Sequence, residues 1–572
     1  MALTQSQYEF IQSFTREKIE RSSDSGTIIE FLDIIESSLN ELTEVKEELQ
    51  LLKDENNRLR GEQGKPVVPE KTKKNQDYSS EQERKSREPT QRKGRGKRND
   101  KIKITREEIC YFPKDKLPPD AQYKGFTKVI VQNVRVINDN ICFKIETYYS
   151  PSTGKTYRAS RPSGFDGEFG PGVMALIFTL KHDANTSEAG IHRFLAHHGV
   201  HISLATISRY LIQGIDLFHQ EKDEIVAAGL QSTCFQQIDD TGARVHGEQF
   251  HTHILCNPFY TAYFTTPHKD RLTVLKILFR GDELKYLFNS AAFELMKTFR
   301  VPNKIINYLR TTCEGKSLAE QELNLVLQEL PTKNRNREQL DRRIQESAAI
   351  AWYHLQDESP AIKVLLSDDA PQFSHIGQHQ ALCWIHAGRA LKKLNPLVPV
   401  YRELLEDILT KFWDYYRQLE NYQKQPDPIT KIELEDRFTK LFQIKTGYSE
   451  LDKHLSSIVA NKQKLLVVLD YPQIPLHNNA AELGARAQVR KRDVSLHAVS
   501  LDGARAVDTF LTLVQTTKKL GVDFCEYIYD RITKSNQIDR LASILLNKAG
   551  RPDLISNFKQ DKESVAPELL VH

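Results

Sequence analysis

"PLHNNAAELGARAQVRKRD", residues 475–493, holds a single carboxylate before its last residue. That acid is Glu482, with Asn478 and Asn479 just ahead of it and Arg486, Arg490, Lys491 and Arg492 behind it. The composition is that of a helix that starts near the asparagines and grows basic along its length. Two readings of Glu482 stand side by side. Asn479 followed three residues later by Glu482 fits a capping box, in which each side chain satisfies a free backbone N–H. In the other reading, Glu482 binds a metal ion beside a phosphate-rich ligand held by the arginines.

Two further segments end in acids. "STCFQQIDDTGARV" reads as a strand running into Asp239 and Asp240, and "AIKVLLSDDAPQF" as a buried strand running into Asp368 and Asp369. Acids at strand ends are ordinary turn formers and caps. Joined by an acid on a later helix, they are also the donor set that two-metal phosphoryl transfer needs. Hard Mg²⁺ ions prefer carboxylate oxygens, and a pair about 4 Å apart activates a nucleophile and stabilises the leaving oxygen.

The chain as a whole sets few limits. Its 572 residues suit about three or four domains. With 39% hydrophobic and 27% charged residues it is ordinary for a soluble protein, and the formal net charge is only +4. Seven cysteines include no C-x-x-C pair, which argues against a zinc ribbon or a disulfide framework and for a reducing, cytoplasmic setting. No apolar run approaches the ~18 residues of a membrane span, so no membrane partner is expected.

Residues 1–62 read as helical. A heptad with Ile35, Leu42, Leu49 and Asn56 at a, and Ser38, Val45, Leu52 and Leu59 at d, suggests a coiled coil that would make the protein a homodimer or higher oligomer. The competing reading is an amphipathic helix packed on its own chain. Residues 63–103 lack large apolar side chains and read as a disordered basic linker whose Arg95, Lys97 and Arg98 could lie along a phosphate backbone. Residues 104–165, rich in Val, Ile and Tyr, read as a small antiparallel β module. Residues 166–230 are helical. Within them, "TSEAGIHRFLAHHGVHISLATISRYLIQG" suggests two helices around a glycine turn, a helix-turn-helix offering Ser203, Thr206, Ser208 and Arg209 to DNA.

Taken together, the motif blocks resemble the insertion-sequence 66 family of bacterial transposases, the TnpC type. "QIDDTGARVHG" is similar to that family's D-E-T-x-x-R-V-x-G block, and "LLSDDAPQF" to the strand that carries its second aspartate. Cys383, Trp384, His386, Ala387 and Arg389 reproduce its C-W-x-H-A-x-R element. Asn478, Asn479, Ala481 and Glu482, with Arg490 and Lys491 at the basic end, match its N-N-x-A-E block. The resemblance runs from about residue 170 to about residue 532, in the family's order.

The resemblance implies an α/β RNase H-like DDE catalytic domain over 231–534, with a helical insertion at about 380–470 and a C-terminal tail over 535–572. Asp239, Asp368 and Glu482 would be the catalytic, metal-binding acids, with Mg²⁺ as cofactor and Mn²⁺ as a substitute. Glu482 would cap its helix at the same time. The activity implied is cleavage at the ends of an insertion sequence, exposing 3′-hydroxyls that attack target DNA. Arg486, Arg490, Lys491, His386 and Arg389 would contact DNA. Small accessory proteins from the same element are possible partners, and the setting would be the bacterial cytoplasm, near the nucleoid. A catalytically silent DNA-binding relative and a structure-selective nuclease are the alternatives; the intact acids weigh against the first.

The chain also departs from the family's pattern. Asp240 stands where the family has Glu, Asp369 where it has Gly, and Leu483 where it has Arg. Only Cys110 and Cys142 remain where the family often has a zinc module, so no zinc is expected there. Cys383 and His386 read as a packed thiol and a hydrogen-bonded imidazole, since zinc needs four ligands and no partner pair is visible.

Overall fold

The computed structural model describes residues 24–59 and 102–558, with short interruptions at 114–117, 119–120, 135, 281–282, 332–335 and 357–360, and single residues before 24. The basic linker with Arg95, Lys97 and Arg98 lies outside the described residues. No helix among those described is long and apolar enough to cross a membrane.

A five-stranded mixed sheet carries the architecture. Its strands are β3 (Phe235–Val245), β4 (Glu248–Cys256), β5 (Thr261–Thr266), β6 (Val364–Ser367) and β7 (His379–Leu382). Their spatial order is β5-β4-β3-β6-β7. The first three form an antiparallel meander, while β6 runs parallel to β3 and β7 parallel to β6. All four residues of β6 are buried, as the continuous apolar run predicts.

The edge strand β5 is closed by a helix, Leu501–Leu520. Thr516, Thr512 and Asp508 on that helix accept hydrogen bonds from the backbone N–H groups of Thr261, Tyr263 and Thr265 at 3.4, 3.1 and 2.6 Å. The match is metric. Every fourth residue of a helix advances about 6 Å and every second residue of a strand about 6.8 Å, so side chains four apart meet N–H groups two apart. Donors that would otherwise template a further strand are thereby occupied.

Between β7 and the helix Asn479–Ser495 comes a helical insertion with its own core, built from Trp384–Lys393, Pro399–Lys424, Pro428–Phe442 and Ser449–Ala460. Trp384 is fully buried at its centre against Phe412, Tyr415, Phe438 and Phe442, and its indole N–H donates to the Leu465 carbonyl at 2.9 Å. The N-terminal helix Ser25–Leu59 docks on this insertion through Ile28, Ile29, Leu32 and Ile35. Its Glu36 carboxylate accepts the N–H groups of Leu397 and Val398 at the start of one insertion helix, and Asp33 accepts that of Ser449 at the start of another. Acids placed at helix N-termini are favourable there. Ile35, the first a residue of the proposed heptad, is thus engaged within its own chain.

Two expectations are corrected. Of the β module over 104–165 the described residues form one hairpin, β1 (Thr147–Ser150) with β2 (Lys155–Arg158), and residues 121–134 and 136–145 take no strand structure. Val129, Val131, Val134 and Ile137 are almost fully exposed, because the described chain offers no surface to pack on one face of such a strand. The C-terminal stretch, expected as a tail from 535, carries a helix Leu541–Lys548 whose Leu541, Leu545 and Leu546 are buried in the main core.

Truncating the insertion's central side chain, Trp384→Ala, is expected to destabilise the protein by roughly 3–5 kcal/mol, the range for a large buried aromatic. Denaturant unfolding followed by circular dichroism would check this; an unchanged midpoint would deny Trp384 its central place.

Candidate active site

Asp239 lies within β3, and Asp368 directly follows β6. Because β3 and β6 are parallel neighbours, both acids sit toward the same end of the sheet. Glu482 is brought to them by the helix Asn479–Ser495, which crosses β3 and β4. Two devices seat that helix. Asn478 donates its side-chain N–H to the Ile238 carbonyl at 2.8 Å, next to Asp239, and its backbone N–H to the Cys383 sulfur at 3.3 Å. Gly484 faces the sheet so closely that a Cβ there would lie 2.7 Å from Ile254 Cγ2.

The capping box is not formed. Asn478 occupies the cap position without a side-chain cap bond, and the Asn479 side-chain oxygen is buried with no partner among the described residues. The Glu482 carboxylate is held instead by Arg389, whose two terminal nitrogens reach its two oxygens at 3.3 Å each, with His386 Nε2 at 3.8 Å.

The twin acids divide by their partners. Asp240 accepts from Gln372 at 2.7 Å and faces Lys269 at 3.7 Å. Asp369, which is exposed, accepts from Asn461 at 3.2 Å and faces Lys464 at 3.8 Å. Among the described residues Asp239 and Asp368 have local backbone donors alone, the N–H groups of Asp240 and Ala370. Burial, joined by the charges of Asp368, Asp240 and Glu482 and opposed by the Asp240 N–H bond, pushes the Asp239 carboxyl up to about 7. Burial likewise raises Asp368, against the pull of His386. Burial and neighbouring negative charge therefore leave these carboxylates short of positive compensation.

That deficit suits a divalent cation with oxygen ligands, and Asp239, Asp368 and Glu482 are the donors present. Among the described residues, the group of three potential ligand atoms lying within 4.8 Å of one another is the sulfur of Cys383, a nitrogen of His386 and an oxygen of Glu482; the three acids are spaced more widely. Cys383 is fully buried, its sulfur already accepts a backbone N–H, and burial lifts its thiol to about 11, so it is a poor metal donor at neutral pH. Burial pulls His386 down, against Glu482 and Asp368.

The expected DNA contacts divide. His386 and Arg389 sit at the acids, Arg486 is half-buried one turn beyond Glu482, and Arg490 is exposed. Lys491 is turned inward: it is 3% exposed and donates to the Lys181 carbonyl, so it is not a surface contact. Seven residues from Gly484, it shares the helix face that meets the fold. The helix pair forms as Glu188–His197 and Leu204–Ile212, with Ser187 and Ser203 as caps. Ser203 and Thr206 are bound to each other in the second cap, Ser208 bonds Glu188, and Arg209 is exposed.

The sequence profile of the Transposase IS66 family matches residues 344–506, a span that holds Asp368, the Cys383–Arg389 element and Glu482. An uncharacterized protein, y4jO of Sinorhizobium fredii (strain NBRC 101917 / NGR234), is 37% identical over 327 residues, which are 56% of this chain and 99% of that protein.

The raised Asp239 gives a signed expectation. Between pH 4 and 7 the folded state binds more protons at this carboxyl than the unfolded chain does, so stability falls as pH rises through that window. Asp239→Asn should therefore stabilise the metal-free protein above pH 7, by a few kcal/mol at most, and bring no gain near pH 4. Thermal unfolding across pH checks this. Separately, Gly484→Ala should cost about 1–3 kcal/mol through overpacking against Ile254.

Proposed function

The chain belongs to the IS66 family of transposases, and from that premise we propose that it binds the ends of a bacterial insertion sequence and catalyses metal-dependent DNA strand cleavage and strand transfer. One observation carries the proposal: acids from two parallel strands and a crossing helix lie close enough that Asp239 feels the charges of Asp368 and Glu482, while Arg389 holds the Glu482 carboxylate at both oxygens. The strand order, an antiparallel meander joined to two parallel strands, supports an RNase H-like catalytic domain over 231–534, interrupted by the helical insertion.

In this reading Asp239, Asp368 and Glu482 hold the divalent cation, Mg²⁺ or Mn²⁺, which when bound supplies Lewis-acid stabilisation of the phosphoryl transition state. Arg389 and His386 hold Glu482 in place through one face of its carboxylate. Arg486 and Arg490, on successive turns of the same helix, hold DNA phosphates leading to the acids. Water displaces the 3′-oxygen at the element's end, and the freed 3′-hydroxyl then attacks a target phosphate in line. The two steps are the same displacement at phosphorus with different nucleophiles, so one set of acids serves both.

The helix pair Glu188–His197 and Leu204–Ile212, with Arg209 outward, would read the terminal repeats as a helix-turn-helix. The basic linker would add salt-sensitive affinity. Beyond its docked turns, the N-terminal helix would pair with that of a second copy as a coiled coil, placing two active sites on two ends. Small accessory proteins from the same element are the further partners.

Strand cleavage of labelled DNA carrying the element's ends, with Mg²⁺ or Mn²⁺, tests the reading. Glu482→Gln keeps size and polarity but removes the charge. It should lower cleavage by about a thousandfold or more, as the loss of several kcal/mol of transition-state stabilisation requires, with DNA binding retained. Equal cleavage by the two proteins would remove Glu482 from the chemistry.

A further inference from the structure

A second feature lies along β3 from the acids. Ala243 and Val245 at the strand's far end, the helix pair, and the junction between helices Asn479–Ser495 and Leu501–Leu520 enclose an open cleft of about 420 Å³. Its walls are largely apolar, with Leu211, Ile212, Val245 and Ala504 among them. Ala243 is four residues from Asp239, so the cleft begins about 13 Å from the acids, or roughly four base steps of DNA.

Its charge is one-sided. Lys181, Lys491, Arg492 and Arg244 line the cleft, and Glu188 is the one carboxylate among its lining residues. Glu188 is already taken by Lys181 at 3.0 Å and by Ser208. Lys491 and Arg492 are satisfied by carbonyls, of Lys181 and Gly242, and not by acids. Burial, aggravated by Lys181, lowers the Lys491 ammonium to about 7, a state that an entering phosphate would reverse. His182 is stacked on Phe510, 3% exposed, and neither of its ring nitrogens has a partner among the described residues. A buried imidazole without partners is costly unless something arrives to bond it.

The mouth carries an exposed apolar side chain on a strained backbone. Leu496 has φ 60° and ψ −67°, and the His497 N–H donates across it to the Ser495 carbonyl at 2.7 Å. This is the rare γ-turn of positive φ, costly for a branched residue. The turn holds Leu496 71% exposed at the rim of the cleft.

We propose that the cleft receives one unstacked nucleotide of the bound DNA, with Leu496 as the wedge that takes its place in the stack. Apolar side chains inserted at a base step unstack it, and a displaced base is held between apolar walls with polar groups at its edge. Here Leu211, Ile212 and Val245 are the walls, His182 offers the polar edge, and Arg244 and Arg492 attract the phosphate. The inference rests on the DNA-processing function proposed above.

The test uses the full-length, metal-free protein and duplexes of the element's ends carrying 2-aminopurine at single positions near the cleavage site. Anisotropy reports binding, and 2-aminopurine emission reports unstacking. In the wild-type complex one position should brighten several-fold. With Leu496→Ser, or with Val494→Trp filling the cleft from its rim, that position should stay quenched at concentrations where anisotropy shows the duplex bound. A bound wild-type complex with every position quenched, or brightening that both variants retain, would overturn the inference and leave the transposase reading standing. Failure of the wild type to bind any end duplex would contradict that reading itself.

Discussion

Like charges in a half-buried corner repel, and the fold places Asp368 and Glu482 near enough to Asp239 for their charges to act on it. The helix that carries Glu482 gains its position from contacts that have nothing to do with charge. Gly484 permits the backbone to approach β4, and Asn478 ties the helix start to the Ile238 carbonyl. Arg389 then offsets part of the converging charge through a two-point contact with Glu482. Burial, together with the charge that remains uncompensated, raises the carboxyls of Asp239 and Asp368. A corner of this kind is unstable as a purely structural device and useful as a cation site.

The supporting structure answers the same need. Arg389 belongs to the first helix of the insertion, whose place is fixed by Trp384 beneath it, so the insertion's aromatic core sets where the counter-charge stands. On the opposite side, Leu501–Leu520 closes the sheet edge through Thr516, Thr512 and Asp508 and fixes the far end of the Glu482 helix through the short connection between them. The N-terminal helix, by capping insertion helices with Glu36 and Asp33, joins the chain's beginning to this assembly.

Much of this was legible in the sequence because it depends on local pattern. The buried run before Asp368, the basic helix after Glu482, and the two helices around a glycine turn lie where spacing and composition put them. The capping box failed because its asparagine has a neighbour, Asn478, whose partner is 240 residues away, and no sequence window contains that bond. Lys491 looked like a surface contact from its basic company; its inward turn follows only once Gly484 is known to face the sheet. Asp240 and Asp369 differ from their neighbours in having the partners Gln372, Lys269, Asn461 and Lys464, contacts that no local sequence window contains. The expected β module failed for the reverse cause. Val129, Val131, Val134 and Ile137 are strand-forming residue types, but such types have no force without a surface to bury one face.

The central claim is that a divalent cation sits among the three acids and not at the neighbouring Cys383–His386 pair. Loading the protein with Fe²⁺ and generating hydroxyl radicals at the bound ion would map it directly, since the backbone is cut where the ion lies. Cuts near residues 239, 368 and 482 together, suppressed by Mg²⁺, are the expected result. Cuts confined to the neighbourhood of residues 383–386 and 482, indifferent to Mg²⁺, would contradict it.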